Sequence, residues 1–234
     1  MILLVQFRTD QSGPHEIQCV YDSFPGKFPN LEIVNAKSNH ITTEDLQTHV
    51  QDARAVLLGG CGENGYETNE PEKLERLKQK IEPVVSQLLA TDTPTLGLCF
   101  GHQLVADMAG GVVGTPEDQS ETGIAEMALT KHGRSDPIFS ALPSPFHAVV
   151  GHKASVTEKP KNALHLAESK HHSLQALRYE SNVYTCQFHP ELEASDLFDR
   201  LQMYPEYTKH EIPYDRDTTL EARQIVDTFF ATYA

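Results

Sequence analysis

Along the first hundred residues, short, mostly apolar runs alternate with segments whose apolar positions recur at helical spacing. The runs "ILLVQF" (2–7), "LEIVNA" (31–36), "AVLLGG" (55–60) and "TPTLGLC" (93–99) are short and bounded by turn residues, as strands buried on both faces are. Between them, "GPHEIQCVYDSF" (13–24) and "TTEDLQTHVQDA" (42–53) read as helices, the second with Thr42 or Thr43 as its cap. "NEPEKLERLKQKIEPVVSQLLA" (69–90) opens with Pro and acids in its first turn, and Pro83 is expected to kink or divide it. "FGHQLVADMA" (100–109) follows the fourth run directly and closes on Gly110-Gly111.

This alternation predicts an α/β fold: an open, twisted, mostly parallel (mixed) sheet with helices on both faces. From about 112 to 190 the runs shorten to "GIAEMALT", "PFHAVVGH", "ALHLAES", "SLQALRY" and "NVYTCQF". They suggest a more antiparallel portion of the same sheet. "TTLEARQIVDTFFATYA" (218–234) predicts a closing amphipathic helix with a Thr cap. No repeat, low-complexity segment or linker interrupts the pattern, so residues 1–234 are read as one domain.

Composition excludes several functions. Nineteen Lys and Arg against thirty-three Asp and Glu give a net charge of -14, which disfavours nucleic acid and anionic membrane as partners. "MILLVQFRTD" has no basic segment ahead of its short apolar run, so it reads as a strand and not a signal peptide. No stretch approaches the ~20 apolar residues of a membrane helix. Cys19, Cys61, Cys99 and Cys186 form no CxxC pair, and His171-His172 has no accompanying ligand cluster. No metal or cofactor is expected, and the protein is read as cytoplasmic and reduced.

The candidate chemistry starts at Cys99, where a strand turns into a helix within Gly97-x-Cys99-x-Gly101. Small flanking residues suit a nucleophile on a tight strand-to-helix turn. The helix N-terminus there is expected to lower the thiol pKa. In "QFHPE" (187–191), His189 ends an apolar strand and Glu191 follows two residues later. Residues i and i+2 of an extended chain share a side, so Glu191 is placed to fix the tautomer of His189. Nucleophile, base and orienting acid make a triad. An oxyanion hole is expected from the N–H of Phe100 and from Gly60 at the end of the neighbouring strand. Activity is expected to fall at low pH as the imidazole base protonates.

"GLCFGHQ" and "QFHPE" resemble the nucleophile and His-Glu motifs of the class I, triad-type glutamine amidotransferases, in the family's order. The likeness is greatest to stand-alone members related to the amidotransferase domain of GMP synthase. It runs through nearly the whole chain, "ETG" (121–123) and "FHAVVGHKASV" (146–156) included. The resemblance implies a flavodoxin-like fold and a γ-glutamyl thioester on Cys99, with ammonia protonated by His189 and passed, where one exists, to a separate synthase subunit. It also implies that Gln103 binds substrate and that His102 packs. Two departures stand out. Cys61 replaces the proline that often follows Gly-Gly, and "HKA" (His152, Lys153, Ala154) lacks the acid of the His-x-Asp triplet found in the GMP-synthase-like branch. Glutamine, another γ-glutamyl amide or peptide, and a catalytically silent regulatory role remain the alternatives, although a silent copy has no chemical need for all three triad residues.

Overall fold

A computed structural model of the chain describes residues 1–23, 30–63, 65–204 and 220–233. The apolar runs form the strands β1 (Ile2–Gln6), β2 (Leu31–Asn35), β3 (Ala55–Leu58) and β4 (Thr95–Leu98). Side chains alternate across each strand: Ile2 and Leu4 enter the core on one face of the sheet, and Leu3 and Val5 the core on the other. Both faces must therefore be covered. The helices α2 (Thr43–Asp52), α3 (Pro71–Thr91) and α4 (Phe100–Met108) cover one of them. The other is covered by α1 (Ser12–Asp22) and α6 (Arg223–Tyr233). Thr42 caps α2 through a reciprocal bond with Asp45. The threonines expected to cap α6 lie outside the described residues.

Pro83 does not divide α3, which runs through it as one helix of 21 residues. Pro83 and Gln79 are both exposed, whereas Ile81, Val84 and Val85 are buried. The carbonyl that loses its partner therefore lies on the water side, where solvent can satisfy it. Pro83→Ala is expected to stabilise the fold, by at most about 3 kcal/mol, read as a higher urea midpoint.

After β5 (Val112–Gly114) come β6 (Glu121–Leu129), β7 (Phe146–His152), β8 (Ser155–Glu158), β9 (Leu164–Ser169), β10 (Ala176–Tyr179) and β11 (Val183–Cys186). The main sheet has the order β2-β1-β3-β4-β11-β10-β9-β6-β7. From β2 to β11 neighbouring strands are parallel; from β11 to β7 they are antiparallel. β5 and β8 pair separately and were not anticipated, being only 3 and 4 residues long. Nor was α5 (Ala194–Met203), which packs against α1. Its signals were present: a reciprocal Glu193–Asp196 cap and apolar Leu197 and Leu201 one turn apart.

The antiparallel half curls back towards the parallel half. The N–H of His189, just past β11, donates to the Val149 carbonyl of the edge strand β7 at 2.8 Å. The carboxyl ends of β1, β3, β4 and β11 thus face a wall made by the end of β7. No described helix is long and apolar enough to cross a membrane.

Candidate active site

Cys99 sits between β4 and α4 with φ 50 and ψ -95, a left-handed conformation that costs a non-glycine residue about 1–3 kcal/mol. The turn is pinned on both sides. Cys99 N donates to Cys186 O at 2.7 Å, and Gly101 N donates to Gly59 O at 3.2 Å. A Cβ on Gly101 would lie 2.4 Å from the Leu58 carbonyl oxygen, so only glycine lets α4 start this close to β3. Gly101→Ala is expected to destabilise the fold by about 1–3 kcal/mol or more, since the obstacle is backbone, and to lower the urea midpoint.

Cys99 and His189 line one cavity. His189 Nδ1 lies 2.7 Å from Glu191 Oε1, with both side chains buried. An ionised Glu191 accepts from Nδ1–H, which leaves Nε2 as the basic nitrogen. Burial pushes the Glu191 carboxyl up, but the neighbouring His189 and Arg200 outweigh it and hold the group below its ordinary range. Arg200, on α5, is 8% exposed and reaches His15 Nδ1 with Nη2 at 3.2 Å.

The Cys99 thiol differs from the helix-terminus expectation. Burial pushes it up to about 12, against the opposing charge of Arg8. In the closed cavity desolvation of a thiolate outweighs the helix end. The resting group is therefore a thiol that needs a base.

Gly60 also differs from expectation. Its N–H donates to Glu16 Oε1 at 2.8 Å and so is not presented to a substrate oxygen. Glu16 reaches the strand end from α1, fully buried, and the same oxygen accepts from Arg8 Nε at 3.0 Å. Arg8 Nη1 donates to Ser12 Oγ at 2.9 Å. Neither charge was singled out from the sequence, although Glu16 falls on the same helix face as buried Ser12, Cys19 and Val20. The Phe100 N–H, at the first position of α4, is one of the donors that a helix leaves without an internal partner.

Gln103 is buried in the cavity wall, with Nε2 donating to Ala154 O at 2.8 Å and Gln187 Oε1 at 3.2 Å. Its Oε1 is the amide atom left to accept from a ligand. Gln187 in turn donates to Cys99 Sγ at 3.5 Å. An acid does reach His152, from β6 and not from position 154. Glu121, paired in register with His152, places Oε2 3.4 Å from His152 Nε2. Ser169 and Gln175 also donate to that carboxylate. His102 is fully buried and bonds Thr185 Oγ1 at 2.8 Å, in keeping with a packing role.

Cys61 lies in the same cavity wall and its sulfur is 3.1 Å from Lys37 Nζ. His171 is exposed and His172 buried. Among the described residues, His15, Cys19 and Asp196 form a group with ligand atoms within 4.8 Å of one another. Arg200 already puts a cationic nitrogen against His15 there, which a metal ion would have to displace.

Residues 30–199 match the model of the family described as glutamine amidotransferase class-I. The chain is 34% identical over 166 residues to a glutamine-hydrolysing GMP synthase subunit of Methanosphaera stadtmanae, covering 70% of this chain and 80% of that one. It is 27% identical over 155 residues to the GMP synthase of Petrotoga mobilis, covering 65% of this chain but 27% of that longer protein. A solved glutamine amidotransferase from Thermotoga maritima superposes with a TM-score of 0.72 at 16% identity, covering 99% of this chain and 96% of that one. At that identity the likeness concerns the fold.

Proposed function

Because the chain belongs to the class-I glutamine amidotransferase family, we propose that it hydrolyses the side-chain amide of glutamine through a thioester on Cys99. The observation that carries this reading is the lining of one cavity by Cys99 and by a His189 ring held at 2.7 Å by a buried carboxylate.

His189 Nε2 takes the thiol proton as the sulfur attacks the amide carbon, and the carbonyl electron pair moves onto oxygen. The Phe100 N–H supports that oxyanion. Gly60 contributes room more than a donor, since Glu16 holds its N–H. Collapse of the intermediate returns the pair, breaks the carbon–nitrogen bond and lets His189 hand its proton to the departing ammonia. Water, deprotonated by the same nitrogen, then cleaves the thioester to glutamate. Gln103 Oε1 accepts from the substrate ammonium. Glu191 holds the imidazole in the tautomer that both half-reactions need. Ammonia released in this way is available to a separate synthase subunit.

The test is glutamate release from glutamine by the purified chain, by itself and with a candidate synthase partner, beside a set of γ-glutamyl peptides. Glutamine turnover, unaided or only with the partner, supports the reading. Turnover of the peptides alone replaces glutamine by a larger γ-glutamyl substrate, and no turnover of either overturns the reading.

A further inference from the structure

Arg8 stands two residues past the end of β1 and lies only 5% exposed in the wall of the Cys99 cavity. Two of its three nitrogens are committed: Nε to Glu16 and Nη1 to Ser12. Nη2 makes no hydrogen bond to another described group, and its position is fixed by Gly60. A Cβ on that glycine would lie 2.6 Å from Arg8 Nη2 and 3.4 Å from His189 Cε1. The guanidinium edge therefore lies over the bare Cα of Gly60, beside the His189 ring, in the wall of the cavity that Cys99 also lines. The donor expected from Gly60 is meanwhile taken by Glu16. A single Glu16 carboxylate thus holds both the Gly60 N–H and the guanidinium that lies beside that glycine.

We propose that Arg8 is a catalytic residue whose Nη2 takes the oxyanion position left by Gly60, stabilising first the Cys99 thiolate and then the oxyanion of the tetrahedral intermediate. This rests on the thioester reading above. A guanidinium in a water-poor cavity is a strong donor to a developing anion. Its pairing with Glu16 runs through Nε, so no carboxylate among the described residues occupies Nη2. Glu16 is a positioning residue: it fixes the guanidinium by Nε and the strand end by the Gly60 N–H.

Substituting Arg8 alone would leave the buried Glu16 uncompensated, so the informative variant removes both charges. The full chain is prepared as wild type, Glu16→Gln and the Arg8→Gln/Glu16→Gln double variant, each checked for a cooperative urea transition. Iodoacetamide, an uncharged probe, is used at pH 9, and alkylation of the Cys99 peptide is followed by mass. Below a thiol's pKa its thiolate fraction changes tenfold per unit of pKa, so rates report the local charge. The expected order is Glu16→Gln fastest, wild type next, and the double variant slowest by tenfold or more relative to Glu16→Gln. If Glu16→Gln does not fold, the double variant is compared with wild type and is expected to be slower. A double variant that alkylates as fast as its reference overturns the proposal.

In turnover, the double variant is expected to lose 10²–10³-fold in kcat with KM within about threefold. An unchanged kcat, or a loss confined to KM, overturns the oxyanion role. Wild-type protein that turns over no γ-glutamyl amide sinks the thioester reading instead, while the alkylation order still judges the effect of Arg8 on the sulfur.

Discussion

Cys99→Ala is expected to abolish glutamate release, lowering kcat/KM by about 10⁴-fold or more, because the proposed acyl intermediate forms on that sulfur. Cys61, although in the same wall, is held between Lys37 Nζ and the Glu63 carbonyl and does not stand on the turn. The fold should tolerate the change. Alanine keeps a Cβ at φ 50 and so keeps the strain, whereas Cys99→Gly removes it. Cys99→Gly is therefore expected to be as inactive as Cys99→Ala but more stable, by about 1–3 kcal/mol in urea unfolding. Opposite movements of activity and stability at one position would mark a strained nucleophile. Retained turnover in Cys99→Ala would remove the mechanism altogether.

The second large effect concerns the proton carrier. His189→Ala is expected to cost about 10²–10⁴-fold in kcat, since both half-reactions route a proton through that ring. Glu191→Gln should lose up to about 10⁴-fold, because an amide at 191 can donate to Nδ1 and strand the proton on the wrong nitrogen. The same carboxyl should show in stability. Glu191 is held below its ordinary range in the fold. Its contribution is thus present above the unfolded value of about 4.3 and is lost as pH falls through the lower folded value. The urea midpoint of wild type relative to Glu191→Gln should therefore be highest near pH 5 to 7 and fall as pH drops below about 4. A difference that does not change with pH would mean that the carboxylate is not stabilised by its neighbours.

The parallel half of the fold was legible because its strands are short, mostly apolar runs, and in β1, β3 and β4 every residue is buried. Periodicity alone separates such strands from the helices between them. The antiparallel runs were legible as strands, but their order was not, since pairings such as Met127 with Ser169 join positions far apart in sequence. Pro83 does not break its helix in two because the rule against internal proline assumes a carbonyl with no other partner, and an exposed face supplies water. At the site, Cys99, His189 and Glu191 could be read because each lies in a short local motif. Glu16 and Arg8 could not: Glu16 is held by a Gly60 N–H 44 residues away, and Arg8 is buried against Glu16, so in the sequence both look like any surface charge. The absent acid after His152 is the same lesson in reverse, as Glu121 comes within 3.4 Å of that ring across a strand pair.

The parallel pairing of β4 with β11 joins Thr95 to Val183 and Gly97 to Thr185. Everything between those partners, six strands and α4 among them, must be accommodated before the two strands can zip together. A chain emerging from the ribosome thus exposes its sulfur long before its imidazole exists, and chemical competence is a late event in biogenesis. Such long-range closure slows folding. In refolding experiments enzymatic turnover should return only after most of the helical circular dichroism has recovered.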